Sequence, residues 1–174
     1  MTGRRHHRSG GNALVEFTLA GIPLIFVLVS IFQISIGMWL YHSLAFAVSE
    51  GTRYTIVHGI NCAQNGNNYC VTVSKIGAVI NGAAPGLDPN QMTVTLTPYS
   101  GSATTDTLAN LMTGSTYSTT TWPPSGANAI GEPVTISVLY PFNSVVSMFW
   151  PGTKPIGPLG RIYMPATSTD LIQF

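Results

Sequence analysis

Charge is what this chain has least of. Charged residues are 7% of its 174 residues, against about 25% in an average soluble domain. Six acids in all leave little material for paired-carboxylate chemistry. Cations are also few. Beyond Arg8, the cations Arg53, Lys75, Lys154 and Arg161 are outnumbered by Glu50, Asp88, Asp106, Glu132 and Asp170. No basic patch forms, and no nucleic-acid partner is expected. A Gly-rich phosphate loop, G-x-S-x-G, H-E-x-x-H and C-x-x-C are all missing, so neither an enzyme nor a cofactor is expected. His42 and His58 read as interfacial or polar-edge residues of a helix rather than as bases. Cysteine is scarce, with Cys62 and Cys70 alone. Without a second pair, His58 does not complete a tetrahedral metal set. No internal repeat is visible.

What the chain has in abundance is one apolar run, Asn12 to Tyr41, interrupted by a single acid, Glu16. Leu19 to Leu40 is 22 residues without a formal charge. As a helix this spans roughly 33 Å, against about 30 Å for a hydrocarbon core. Ser30, Gln33 and Ser35 are tolerable there, because their polar groups can bond to the helix backbone or a neighbouring helix. Residues 1–11 form a short basic leader with Arg4, Arg5 and Arg8. Cations on that side place it in the cytoplasm and the remainder across the membrane. Trp39 and Tyr41 fall where an outer aromatic belt belongs. Pro23 lacks an N–H and its ring opposes the carbonyl of Leu19, which favours a local kink. The competing reading is a secretory signal, with Ala45-Phe46-Ala47 as the cleavage site, but the run is too long for it. In an oxidising compartment, Cys62 and Cys70 across a short Gly/Asn-rich loop read as a disulfide.

Past the run, roughly 130 residues suffice for one modest core. Helical spacing continues over 43–58, with Leu44, Ala47, Val48, Gly51 and Tyr54 on one face and Glu50 paired with Arg53 three residues on. Val73, Ile76, Val79, Ile80 and Ala83 predict a second helix, ended by Pro85 and Gly86. The period then changes to two. Met92, Val94 and Leu96 alternate with threonines in a strand closed by Pro98. Residues 99–131 read as loop with a short strand at Tyr117–Trp122. Pro133–Tyr140 is the clearest strand, stopped by Pro141. Asn143–Trp150 reads as an apolar turn of helix or loop, and Arg161–Met164 as a last strand. Helices followed by strands predict an α+β fold: a long N-terminal transmembrane helix entering a small domain with a second short helix and a three- to four-stranded antiparallel sheet. The expected divisions are a leader (1–11), a transmembrane helix (12–42) and an extracytoplasmic domain (43–174).

Gly11 is followed by Asn-Ala-Leu-Val-Glu-Phe and the apolar helix. This resembles the processing signal of type IV pilins and pseudopilins, where a prepilin peptidase cuts after Gly and leaves Glu fifth. With Asn12 first, Glu16 is fifth. Val15-Glu16-Phe17, the early Pro23 and Glu50-Gly51-Thr52-Arg53-Tyr54 together resemble the TadE-like family of Flp/Tad pilus assembly, whose N-terminal module ends in E-G-(small)-R-Y. The close resemblance covers residues 11–58; the strand at 134–142 and the Gly/Pro-rich stretch to Arg161 are similar in layout.

The resemblance implies a minor pseudopilin of the bacterial inner membrane. Its implied partners are lipid, other pilins and pseudopilins, the Tad inner-membrane platform with its ATPase, and a prepilin peptidase. It implies Gly11 and Asn12 as the cleavage pair, Glu16 and Phe17 as assembly residues, and Glu50, Gly51, Arg53 and Tyr54 as the family motif. Physically, Glu16 is expected in the helix's first turn, where the dipole favours an anion. Deeper in lipid an ionised acid costs about 2.5–3.5 kcal/mol on insertion scales. After cleavage the α-ammonium of Asn12, on the same or an adjacent subunit, can neutralise Glu16; the plainer reading is that Glu16 reaches the headgroups. The alternative function is a membrane-anchored extracytoplasmic binding module outside any filament.

Overall fold

The computed structural model describes residues 10–57, 70–143 and 161–173. Helix α1 runs from Gly10 to Ile56, 47 residues, or about 70 Å at 1.5 Å per residue. Hydroxyl side chains in its apolar part fold back on their own turn. Thr18 Oγ1 donates to the Val15 carbonyl at 2.9 Å, Ser30 Oγ to Phe26 at 2.8 Å and Ser35 Oγ to Ile31 at 2.9 Å. Their polarity is thereby met without a partner outside the helix. The helical assignment continues through Pro23.

Two expectations about the helix start are corrected. Gly10 and Gly11 belong to α1 rather than to the leader, and the first turn carries no acid. With two extra residues in front, Glu16 falls in the second turn.

Helix α2 (Val73–Ala83) starts at Thr72, whose Oγ1 accepts from the Lys75 N–H at 3.4 Å, an N-cap that satisfies one orphan donor. Its buried face is Val73, Ile76, Gly77 and Ile80, with Val79 and Ala83 half-buried. Four strands, β1 (Thr93–Thr97), β2 (Thr104–Thr107), β3 (Pro133–Asn143) and β4 (Arg161–Leu171), form one antiparallel sheet in the order β2-β1-β3-β4. Val94, Leu96, Val134, Ile136, Val138, Met164 and Ala166 point to one face and are buried. That face meets α2 and the last third of α1, where Leu44, Ala47, Val48 and Ile56 complete the core. The opposite face carries hydroxyls that bond across strands, Thr95 to Thr105 at 3.0 Å, Thr135 to Thr169 at 2.8 Å and Thr167 to Ser137 at 3.1 Å.

The 99–131 region is not plain loop. It holds β2, then α3 (Leu108–Thr113) and α4 (Ser115–Thr119). Thr107 Oγ1 caps α3 by accepting from the Asn110 N–H, and Leu108 and Leu111 enter the core. The strand expected at 117–122 is replaced by the end of α4 and one isolated bridge, Thr72 to Thr121. Nor does Pro141 stop β3, which runs on to Asn143 with Pro141 opposite Tyr163. Pairing with β1 ends at Leu139. Beyond that point β3 has a neighbour on one side alone, where a residue without an N–H can be carried. The expected turn at 144–150 and the stretch up to residue 160 lie outside the described residues.

The orientation of the sheet follows from two contacts. The Gln173 N–H donates to the Ile56 carbonyl at 3.0 Å, so the end of β4 meets the end of α1. A Cβ added to Gly37 would lie 3.6 Å from the Phe142 ring, so the end of β3 meets α1 some nineteen residues earlier. The domain thus has a near pole at Gly37 and a far pole at Ile56.

Candidate functional site

The sequence singles out two groups of residues on α1, and the structure keeps them apart. Gly11, Asn12, Glu16 and Phe17 lie at the free end, and Glu50, Gly51, Arg53 and Tyr54 lie in the domain. Glu16 to Glu50 is 34 residues of one helix, about 51 Å along its axis.

At the free end nothing in the described chain covers the helix. From Ala13 to Ile36 no side chain is buried; Phe17 is 77% exposed, and Leu19 and Ile22 are as open. Among the described residues Glu16 makes no ion pair. Gly11 and Asn12 are helical in backbone. An apolar surface on every side of a helix calls for an apolar surrounding, in lipid or against other helices. By length and composition α1 is able to cross a membrane.

In the domain the motif residues have separate tasks. A Cβ on Gly51 would stand 2.6 Å from Ile80 Cγ1 and 3.7 Å from Ile136 Cδ1. Glycine therefore lets α1 approach α2 and the sheet closely at this point. Thr52 and Thr55 are buried beside it, and their hydroxyls donate to Val48 at 2.9 Å and Gly51 at 2.8 Å. Tyr54 is half-buried against the core. Arg53 Nη1 donates to Glu50 Oε1 at 3.4 Å on the outside of the same helix. Gly51 and Tyr54 thus join the helix to the domain, while Glu50 and Arg53 face outward and are free to meet another molecule.

A third contact was not foreseen from the sequence. A Cβ on Gly86, which has φ +82°, would stand 2.7 Å from Cη2 of Trp39. Trp39, expected only as an interfacial residue, rests on the turn between α2 and β1. With Phe142 over Gly37 it forms the near pole of the domain. The signal lay in Pro85-Gly86, read only as a helix stop.

Electrostatics add little of a catalytic kind. Asp106 Oδ1 accepts from Asn110 Nδ2 at 2.9 Å and the Thr107 N–H at 2.7 Å, and Oδ2 accepts from the Tyr117 hydroxyl at 3.1 Å. The Asn110 amide above all holds this carboxyl below its usual range, and the bond to Asp106 in turn raises the Tyr117 phenol. Asp88 is lowered by the Asn90 backbone N–H, then by the Asn90 and Gln91 amides. Asp88 closes a turn, and Asp106 ties the end of β2 to α3 and α4. Among the described residues no group of His, Cys, Asp and Glu could hold a metal ion. No cysteine among the described residues is free; Cys62 lies outside them, so its pairing with Cys70 stays an expectation.

The exposed apolar helix, with an acid near its start and a glycine-mediated joint near its end, is matched by one known sequence pattern. Residues 11–53 match the TadE-like protein family. The TadE-like segment ends within the Glu50–Tyr54 motif and covers both residue groups except Tyr54. It stops short of α2 and the sheet. No curated protein and no solved structure matches the chain.

Proposed function

We propose that this chain is a minor pseudopilin of Tad/Flp pilus assembly. It is held in the bacterial inner membrane by residues 12–42, with the N-terminus cytoplasmic and the domain outside. The observation that carries the reading is the division of the TadE-like segment. Residues 13–36 are mostly apolar, with no buried side chain on any side, and the last turns are locked into a folded domain through Gly51. A helix of this kind is anchor and packing surface at once. Its partners are lipid, then pilins and pseudopilins, with the Tad platform and its ATPase. No catalytic role is assigned to it, and Cys62 and Cys70 form a disulfide in the oxidising space.

The cleavage pair is Gly11 and Asn12. Each glycine in a helix costs about 1 kcal/mol relative to alanine, so Gly10 and Gly11 make the first turn of α1 easy to unwind for a peptidase. Cleavage removes these two glycines from α1 and leaves Glu16 fifth in the chain, four residues from a new α-ammonium on Asn12. The pair then satisfies the acid that has no ion partner in the described chain.

Folding argues against the secretory-signal alternative. Cleavage after Ala47 would take Leu44 and Ala47, both fully buried, out of the core. The deciding experiment is mass spectrometry of the mature N-terminus from a strain with the full pilus system. Asn12 as first residue is expected. An intact Met1 would leave an unprocessed anchor and favour the binding-module reading, and a start at Val48 would refute the anchor itself.

A further inference from the structure

We infer that the near pole of the domain is seated in the outer leaflet of the bilayer, with the end of β3 and the start of β4 entering the lipid interface beside α1. The inference rests on the membrane reading of α1 above and adds to it a second point of contact. Counting from Glu16, the acid that marks the inner edge, about 20 residues of helix cross about 30 Å of hydrocarbon. The outer edge therefore falls at Ile36 or Gly37. The domain begins there, with no intervening stalk.

Phe142 lies against Gly37 at that depth. Ile162 is its cross-strand partner, so both side chains stand on the α1 face of the sheet. Ile162 is 46% exposed, and next to it Tyr163 on the other face is 38% exposed. On α1 itself Trp39 and Tyr41 are exposed at the same level.

Four exposed residues, three of them aromatic, ring one pole, continuous with the uncovered helix. Aromatic side chains with one polar tip favour the headgroup boundary. Continuity with the uncovered helix selects a lipid surface over a second copy of the domain, because these side chains stand where the bare part of α1 enters the domain. Asp88 follows the Gly86 turn on which Trp39 rests. Its backbone N–H meets the Tyr140 hydroxyl at 3.4 Å, and its carboxylate is already bonded to Asn90 and Gln91, an arrangement suited to headgroup water. The far pole exposes Leu171 beside Asp170, with Tyr99, Ile130 and Val57, but it lies at the opposite end of the domain from the bare part of α1.

The test places one nitroxide label at a time on the full chain in phosphatidylcholine–phosphatidylglycerol vesicles. Labels go on Ile162→Cys, Leu171→Cys and Val27→Cys, with the unsubstituted chain as blank for Cys62 and Cys70. Relaxation by oxygen, which concentrates in lipid, is compared with relaxation by a water-soluble nickel complex. All three sites are exposed, so the substitutions leave the fold intact. The expected oxygen-to-nickel ratio is highest at 27, intermediate at 162 and lowest at 171. A lipid-like ratio at 27 with 162 equal to 171 would mean that the domain stands clear of the bilayer, which overturns the seat and leaves the anchor intact. A water-like ratio at 27 would overturn the membrane reading and the seat together.

Discussion

Helix α1 is one element with two lives. From Ala13 to Ile36 its side chains are mostly apolar in every direction and none is buried. From Leu44 onward the burial is one-sided, with Leu44, Ala47, Val48, Gly51, Thr52, Thr55 and Ile56 turned inward and Arg53 outward. The backbone is the same throughout. What changes is the source of the surrounding. The second part finds it in its own chain, so its sequence shows a period of 3.6 residues. The first part must find it elsewhere, and its sequence shows composition without period.

The sharpest way to break this comparison is a pair of leucines. Leu44→Ala should cost the domain about 2–5 kcal/mol through the cavity it leaves, while Leu24→Ala, far from the core, should leave domain unfolding unchanged. Thermal unfolding of the full chain in mild detergent, followed by near-ultraviolet circular dichroism, reads both. Equal effects would mean that the free part of α1 packs on the domain after all.

Two glycines give the next largest contrast. Gly51→Val drives atoms into Ile80, and such overpacking costs about 1–3 kcal/mol. Gly21 has only the Phe17 ring nearby, 4.0 Å from an added Cβ, and Gly21→Val should be silent in the same melt.

A third test uses pH and lies in the domain alone. Asp106 has its carboxyl lowered by Asn110, Thr107 and Tyr117, so its folded value lies below the unfolded one. Its contribution is whole above about pH 4 and is lost as pH falls through the folded value. Denaturant midpoints should therefore hold from pH 7 to 5 and drop toward pH 3. Asp106→Asn, a little less stable at pH 7, should show a shallower acid decline.

The smallest effect on folding comes from the two acids of the helix. Glu50 and Arg53 form an exposed pair, and such pairs contribute about 0–1 kcal/mol. Glu50→Gln and Glu16→Gln should both melt within about 0.5 kcal/mol of the parent. Pilus counts by electron microscopy should then separate them, with loss for Glu16→Gln and near-normal numbers for Glu50→Gln. Normal piliation in the Glu16 variant would remove the assembly role from that acid.

Legibility followed the same division. Periodicity located β1 through Met92, Val94 and Leu96, and α2 through Val73, Ile76 and Ile80, because those faces answer to one core. It failed over 99–131. A helix as short as α3 shows barely one period, and the many threonines there looked like loop or strand. Thr107 before Leu108, Leu111 and Met112 is nonetheless a readable N-cap with an i, i+3, i+4 face. Pro141 misled because its tolerance depends on where β1 stops, a tertiary fact. The motif at Glu50–Tyr54 was visible as a resemblance, but the 2.6 Å approach that makes Gly51 necessary depends on α2, more than twenty residues on. Gly37 gave no sign of its aromatic partner for the same reason, and Pro85-Gly86 marked a turn without naming Trp39 as what rests on it.

The bond from Gln173 to Ile56 also sets a timetable. The far end of α1 stays unbonded until 117 further residues have been made, roughly 6–25 s at the usual pace of synthesis. Ile172, which fills the core beside that bond, arrives equally late. Until then the Ile56 end of the inward-facing stripe on α1 lacks its last covering residues. Losing only the last few residues would leave the Ile56 end of that stripe uncovered while α2 and β3 still close over Gly51.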